Sequence, residues 1–211
     1  MSAPSAAGPD RRILCFGDSN TYGYDPRSPL GDRYPPDVRW TALLNAQPGW
    51  TVVNCGQNGR QIPCRPPALE AAERELAAGG VPDGLVLLLG GNDLLQAPAL
   101  TAEAVAGRMA VFLARVAACS AVADAGARVL LVAPPPLRLG AWVDREELVV
   151  QSQRLGRCYR AVARRQGAAF ADAGGWNVEL AFDGVHFSPA GHRAFARGLI
   201  SALKTLFQES R

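Results

Sequence analysis

The stretch LVLLLGGND, residues 85–93, indicates the fold of this chain. Its first five residues are all apolar, and a strand that is apolar at every position is typical of a parallel sheet covered on both faces. Gly90, Gly91, Asn92 and Asp93 follow, and such residues predict a tight turn at the carboxyl end of the strand. We therefore expect a sheet buried between two layers, with polar side chains where this strand ends.

Apolar runs alternate with amphipathic segments on both sides of this stretch. The predicted strands are residues 13–16, 51–55, 85–89, 128–133 and, more weakly, 168–171. The predicted helices are residues 67–78, 101–125, 146–166 and 189–207. This alternation predicts an α/β fold with a five-stranded parallel sheet and helices on both of its faces. We expect residues 1–11 to form a mobile N-terminal tail and residues 12–211 to form a single domain.

The composition excludes several classes of protein. Of the 211 residues, 48% are hydrophobic and 19% are charged, which is typical of a globular domain and not of a disordered chain. The net charge is only +3, and aromatic residues are not interleaved with the basic ones, so we expect no nucleic-acid partner. No stretch approaches the roughly 18 apolar residues of a membrane helix, and the N-terminus lacks the apolar core of a signal peptide.

The cysteines and carboxylates give no sign of a metal site. There are five cysteines, an odd number, and no two stand in a CxxC arrangement, so neither disulfides nor zinc are indicated. Asp18, Asp93 and Asp183 follow strands, but they lack the histidine pair or phosphate-handling loop that favours a metal. We therefore expect a cytoplasmic protein that needs neither a metal nor a cofactor.

Polar residues follow four of the predicted elements. They stand in the segments GDSNT (17–21), GQNGR (56–60), GGND (90–93) and DGVH (183–186). In open α/β sheets the ligand crevice lies beyond the carboxyl ends of the strands, so these segments are expected to converge at one edge.

Acyl transfer chemistry needs the residue types that stand in these segments. A serine hydroxyl is a weak nucleophile and needs a positioned base, which in turn needs a carboxylate to fix its tautomer. Ser19 supplies the hydroxyl on a turn preceded by glycine. His186 follows Asp183 by three residues, so one loop can bring acid and base to Ser19. The other histidine, His192, stands at the start of a predicted helix and is expected to be structural.

The developing oxyanion needs hydrogen-bond donors. The backbone N–H groups of Ser19 and Gly59 and the side-chain amide of Asn92 are the candidates. The candidate substrate-binding residues, close to the nucleophile or on a predicted rim, are Asp18, Asn20, Tyr22 and Trp142.

Two irregular, proline-containing segments are expected to form the rim of the site. They are residues 24–40 and residues 134–144, and the second carries Trp142 among apolar neighbours. Such loops usually lie on the surface, and an exposed apolar cluster there favours a partner surface. We expect a homo-oligomer that prefers short acyl chains; in the alternative, Trp142 folds back onto its own domain.

The same segments resemble the conserved blocks of a known family. ILCFGDSN, NCGQNGR, LLLGGNDL and DGVHFSPAGH are similar to the four blocks of the SGNH hydrolases, also called the GDSL esterase/lipase family, and they span residues 13–192. The resemblance implies a flavodoxin-like, three-layer α/β/α fold, with Gly59 and Asn92 as oxyanion donors. FGDSNTYGYDP, PPDVRWTALL and VLLVAPPPL are similar to the short arylesterase and acyltransferase branch. Similarity to that branch implies cleavage of small acyl esters, transfer of the acyl group to alcohols by some of its members, and assembly of the subunits into oligomers.

The favoured hypothesis is therefore a serine esterase acting on small carboxylic esters, either O-acetyl groups on a sugar or aryl esters. A lysophospholipase or thioesterase would carry the same segments and differ only in its acyl pocket. A non-catalytic binding protein of this fold predicts the loss of a catalytic residue, yet all are present. A flavin or nucleotide binder rests on the fold alone, since no G-x-G-x-x-G or phosphate-binding loop follows a strand.

Overall fold

The computed structural model describes residues 10–28, 30–97 and 99–208. Its five strands are β1 (Arg11–Gly17), β2 (Trp50–Gly56), β3 (Gly84–Leu88), β4 (Arg128–Ala133) and β5 (Ala169–Asp172). They form one parallel sheet in the order β2-β1-β3-β4-β5. The chain leaves β1 for β2 on one side and returns to β3 on the other. The strand order therefore reverses beside β1, and a ligand crevice is expected at that point.

Helices cover both faces of the sheet. They are α1 (Ser19–Tyr22), α2 (Trp40–Asn45), α3 (Pro66–Ala78), α4 (Gly91–Gln96), α5 (Ala102–Ala118), α6 (Ser120–Ala123), α7 (Glu146–Gln166) and α8 (Pro189–Gln208), with a short 3₁₀ turn at Ala173–Gly175. Alternate residues of β1 enter separate cores, because successive side chains of a strand point to opposite faces. Leu14 and Phe16 pack with α3, α5 and α7, whereas Ile13 and Cys15 pack with α2 and α8. The predicted three-layer α/β/α fold is confirmed.

The prediction of one helix over residues 101–125 is wrong. Cys119 adopts an extended conformation (φ −69°, ψ 125°), so α5 ends at Ala118 and α6 begins at Ser120. The break turns the chain so that both Cys119 and Val122 are buried. The alanine-rich sequence contains no glycine or proline at this point to indicate the break.

The start of β1 differs from the prediction by two residues. Arg11 was expected in the mobile tail, but it belongs to β1 and its N–H donates to the carbonyl of Gly49 at 2.7 Å. Residues 1–9 of the predicted tail lie outside the described residues. Within the described part of the chain, no helix combines the length and apolar character needed to cross a membrane.

Candidate active site

Three buried side chains form a hydrogen-bonded chain at the carboxyl edge of the sheet. Ser19 Oγ lies 2.9 Å from His186 Nε2, and His186 Nδ1 lies 2.6 Å from Asp183 Oδ2. A carboxylate only accepts hydrogen bonds, so Nδ1 carries the proton and Nε2 is the acceptor that faces the serine hydroxyl. This arrangement can take the proton from Ser19 as the hydroxyl attacks a carbonyl carbon.

The turn after β1 holds Ser19 in place. A Cβ added to Gly17 would overlap the Thr21 side chain and lie 2.8 Å from the Leu88 carbonyl oxygen, so only glycine fits there. Asp18 caps α1, and its Oδ1 accepts the N–H of Asn20 at 2.9 Å. Burial raises the pKa of Asp18 to about 6, against the lowering effect of that hydrogen bond.

The loop before α8 fixes the acid and the base together. Oδ1 of Asp183 accepts the N–H groups of Val185 at 2.9 Å and His186 at 3.0 Å. Burial acts to raise the pKa of Asp183, but these bonds and the bond from the His186 ring outweigh it, so the pKa lies below its usual value. Asn20 ties this loop to the serine turn, because its Nδ2 donates to the Val185 carbonyl and its Oδ1 accepts the Phe187 N–H.

Two aromatic rings enclose the imidazole of His186. The Tyr24 ring centroid lies 4.6 Å from the histidine ring, and Trp142 meets it edge-on at 4.9 Å. Trp142 remains 54% exposed, so one side of it faces solvent at the rim. Tyr24 was not among the predicted site residues. The sequence offers two tyrosines here. The chain turns at the left-handed Gly23 (φ 90°) after α1, and Tyr24 beyond it contacts His186, whereas Tyr22 contacts Arg33.

The rim segment that carries Trp142 is bonded directly to the acid–base loop. Backbone N–H groups of Arg138, Ala141 and Trp142 donate to the carbonyls of Gly184, Phe182 and Asp183, at 3.0–3.1 Å. A Cβ added to Gly140 would lie 2.6 Å from the Asp183 carbonyl carbon, so this close approach requires glycine.

The three candidate oxyanion donors lie on separate loops. Within the described residues, the backbone N–H groups of Ser19 and Gly59 donate no hydrogen bond to the protein, so both remain free for a ligand. Gly59 has a φ of 73°, which favours glycine, and its carbonyl accepts from Gln96 Nε2 at 3.0 Å. Asn92 Nδ2 donates one hydrogen to the Arg60 carbonyl at 3.1 Å, which orients the amide and leaves its second hydrogen available.

Asn92→Ala is expected to lower kcat by about 10²-fold and to change KM little, because an oxyanion donor acts mainly on the transition state. Steady-state kinetics with a p-nitrophenyl ester measure both constants. Asn58→Ala is the matched control, since Asn58 is an exposed amide on the Gly59 loop with no hydrogen bond recorded among the described residues. An effect on KM alone would mean that Asn92 positions the substrate instead.

The predicted substrate-binding residues fall into three groups. Trp142 lines a cleft of about 500 Å³ together with Gly59, Asn92, Leu95, Gln96, Asp144, Arg145 and Leu148. Asp18 and Asn20 line a small cavity of about 20 Å³ behind the serine, and their polar atoms bond to the chain itself. Tyr22 packs beneath the Arg33 guanidinium, 4.4 Å from its ring centroid, and it lines neither space. Contact of any of these four residues with substrate stays a prediction.

The buried carboxylates near the site are committed to protein partners. Asp93 is fully buried, accepts the Ile62 N–H at 3.0 Å and pairs with Arg108 at 2.8 Å. Burial raises its pKa, and these two bonds oppose the rise. No cluster of three or more histidine, cysteine, aspartate or glutamate side chains suited to a metal occurs in the part of the chain that the structure describes.

The second histidine packs in the core. His192 is fully buried between the rings of Tyr34 and Phe187, and its Nδ1 accepts the Trp40 N–H at 3.4 Å. Its Nε2 has no partner among the described residues. Burial, with smaller contributions from His186 and Arg39, lowers the pKa of His192 to about 3.

This lowered pKa predicts a loss of stability in mild acid. The unfolded chain binds the proton below pH 6.5, whereas the folded chain binds it only near pH 3, so stability falls as the pH drops through this window. Relative to His192→Asn, the wild type is expected to lose roughly 2 kcal/mol of unfolding free energy between about pH 6.5 and about pH 5. Urea unfolding at each pH measures this, and contributions from Asp18 cancel in the comparison. A constant difference would contradict the prediction.

The geometry of the site defines the class of protein, and the comparisons then identify its family. A serine, histidine and aspartate in one hydrogen-bonded chain at the crevice of a parallel α/β sheet is the arrangement of a serine hydrolase. Residues 15–194 match the GDSL-like Lipase/Acylhydrolase family, and the chain belongs to that family. It is therefore a carboxylic ester hydrolase, and the predicted membership of the SGNH hydrolases is confirmed.

Solved structures of esterases share nearly the whole fold. The M. smegmatis aryl esterase is 29% identical, with a TM-score of 0.83 over 93% of this chain and 99% of that one. A putative arylesterase from Agrobacterium tumefaciens is 30% identical, with a TM-score of 0.81 over 92% and 99%. A carbohydrate acetylesterase from Sinorhizobium meliloti is 25% identical, with a TM-score of 0.80 over 93% and 99%. Among curated proteins, no relative matches the sequence.

Proposed function

We propose that the protein is a serine esterase that hydrolyses small acetyl or aryl esters through an acyl-enzyme on Ser19. The observation that carries the proposal is the hydrogen-bonded chain from Ser19 through His186 to Asp183. His186 takes the hydroxyl proton as Ser19 attacks the ester carbonyl, and then gives it to the leaving alcohol. Water, activated by the same imidazole, attacks the acyl-enzyme and releases the acid.

The charge that develops on the carbonyl oxygen is stabilised by three donors. These are the free backbone N–H groups of Ser19 and Gly59 and the second amide hydrogen of Asn92. Donors fixed before the reaction cost no reorganisation in the transition state, which is why they contribute several kcal/mol in such sites. Because a carboxylate orients the base and dipoles stabilise the oxyanion, the proposed mechanism needs neither a metal nor a cofactor.

The cleft beside the oxyanion donors favours a small and partly polar ester. It holds about 500 Å³, the lower part of the range for ligand sites. Trp142 offers an exposed ring edge, and Asp144 and Arg145 are exposed with no side-chain partner recorded among the described residues. An aromatic surface beside hydroxyl-binding groups suits either an acetylated sugar or an aryl ester. The similarity to an aryl esterase and a carbohydrate acetylesterase supports this choice.

An ester series tests the substrate proposal. p-Nitrophenyl acetate is expected to give the highest kcat/KM, with a steady decline to palmitate, and acetylated xylose is tested beside it. Faster cleavage of palmitate would favour the alternative, a lysophospholipase or thioesterase of the same fold. No cleavage of any ester or thioester would favour a non-catalytic binding protein. Product analysis in the presence of ethanol determines whether acyl transfer to alcohols competes with hydrolysis.

Self-association is part of the proposal. Leu139, Trp142 and Phe182 are each more than half exposed, and backbone hydrogen bonds hold their two segments together around Asp183. Exposed apolar side chains clustered in this way favour burial against a second copy of the chain. Five free cysteines and no disulfide among the described residues support a reducing, cytoplasmic compartment.

Trp142→Ala is expected to weaken both assembly and acyl-chain selection. In an oligomer the rim of a neighbouring copy caps the cleft, so loss of the Trp142 ring opens the cleft to longer chains. Light scattering measures the mass, and the ester series measures the ratio of acetate to octanoate cleavage. Val150→Ala, an exposed apolar residue on α7, is the control. A monomeric wild type that prefers palmitate would contradict both parts.

A further inference from the structure

One arginine beside the catalytic edge is almost completely buried. The side chain of Arg60 is 9% exposed, and its guanidinium carbon lies 4.0 Å from the centroid of the Phe16 ring. Burial of a charge is costly unless the charge is paired and hydrogen-bonded. Arg60 is paired with Glu75, and its two terminal nitrogens make four hydrogen bonds.

These four bonds join the ends of two strands to a turn and a helix. Nη1 donates to the carbonyl of Gly17, the last residue of β1, at 3.2 Å, and to the carbonyl of Cys55, the last but one of β2, at 2.6 Å. Nη2 donates to Gln57 Oε1 at 3.0 Å and to Glu75 Oε2 on α3 at 2.6 Å. The guanidinium thus fixes the base of the Ser19 turn relative to the base of the Gly59 turn.

The main chain of Arg60 reaches the third oxyanion donor. Its N–H closes the turn that contains Gly59, by donating to the Gln57 carbonyl at 3.2 Å. Its carbonyl accepts from Asn92 Nδ2 at 3.1 Å. A shift of Arg60 therefore moves the Asn92 amide and the Gly59 N–H together, while Ser19 is reached through Gly17.

We infer that Arg60 is a positioning residue for ester cleavage, which sets the spacing of the oxyanion donors of Ser19, Gly59 and Asn92. The inference rests on the proposed function. Arg60 acts through these donors and lies outside the substrate cleft: its side chain lines a separate cavity of about 500 Å³, with Glu75, Arg65 and Arg108. Misplacing the donors weakens binding of the transition state more than binding of the substrate, so the effect falls on kcat.

Three substitutions test this inference with p-nitrophenyl acetate. Arg60→Met keeps the apolar packing on Phe16 and is expected to lower kcat by about 10²-fold, with KM changed by less than about threefold. Arg60→Lys keeps the charge but lacks the planar fork, so it is expected to remain at least about tenfold below wild type. Arg65→Met is the matched control, because Arg65 lines the same cavity and is exposed.

Chemical rescue separates positioning from a merely structural role. Arg60→Ala leaves a guanidinium-sized space that opens onto the cavity, so added methylguanidine is expected to restore kcat by roughly tenfold at a temperature where the variant is already fully folded without it. Ser19→Ala should gain nothing from the same additive.

Wild-type kcat in a folded Arg60→Met or Arg60→Lys variant would overturn the inference. So would a loss of activity that only follows the loss of folded protein, without rescue. If the Met and Ala variants do not fold, Arg60→Lys decides the question. An inactive wild type would instead overturn the proposed function itself.

Discussion

Ser19→Ala is expected to lower kcat for p-nitrophenyl acetate by about 10³-fold or more without unfolding the protein. The hydroxyl of Ser19 has His186 Nε2 as its hydrogen-bond partner, and its removal leaves only a small gap at the end of β1. The activity that remains comes from the oxyanion donors and substrate binding. Purified variant protein, checked by circular dichroism, gives the comparison.

His186→Ala is expected to be as severe, and the double variant no worse than either single one. The serine and the histidine act as a unit, since an unactivated hydroxyl and a base without a nucleophile are equally ineffective. His192→Asn is the control, because His192 is fully buried with Trp40 in the core and should leave kcat nearly unchanged. A reversed order of the two histidines would overturn the assignment of the base.

Asp183→Asn is expected to lower kcat by about 10⁴-fold, by analogy with removal of the orienting carboxylate in other serine hydrolases. An asparagine fits the same space, and its carbonyl oxygen can still accept the two backbone N–H groups of Val185 and His186. Its NH₂ group then faces His186 Nδ1, which must become the acceptor. Nε2 carries the proton in that tautomer and can no longer take one from Ser19.

Asp172→Asn is a matched control for this substitution. Asp172 Oδ1 accepts the Gly174 N–H at 3.0 Å at the end of β5, so it also caps a turn with its carboxylate, but it is outside the site. We expect wild-type kcat for this variant. A fall in kcat of less than about tenfold in Asp183→Asn would show that the charge of the Asp183 carboxylate is not needed to orient His186.

The layered fold was predictable because its signals are local and repeat along the chain. Residues 85–89 are apolar at every position, and the sheet confirms that this strand is buried on both faces. The α7 boundaries also agree with the sequence, since leucine and tyrosine recur there at helical spacing. The break at Cys119 escaped prediction because burial of Val122, a tertiary effect, interrupts a run that is otherwise favourable for helix.

The chemistry of the site was predictable in type, while its supporting contacts were not. The convergence of Ser19, Asp183 and His186 was predictable because their segments follow strands in chain order, and the carboxyl ends of parallel strands meet at one edge of the sheet. Asn20 and Tyr24 act across the fold: Asn20 bonds to the histidine loop, and the tilted Tyr24 ring packs against the imidazole. Those contacts depend on how two distant loops approach each other, and no spacing in the sequence encodes that approach.

The backbone bonds between the rim and the acid–base loop limit how this enzyme can evolve. A rim loop that moved independently of the acid could be lengthened or exchanged to admit new substrates without lowering kcat. Here the Trp142 N–H donates to the Asp183 carbonyl, and Gly140 lies against the carbon of that carbonyl. Insertions near Gly140 should therefore displace the acid as well as the rim, so libraries that vary residues 138–142 will couple selectivity to turnover. A library at Leu148, which lines the cleft without a hydrogen bond to the acid–base loop, avoids that coupling.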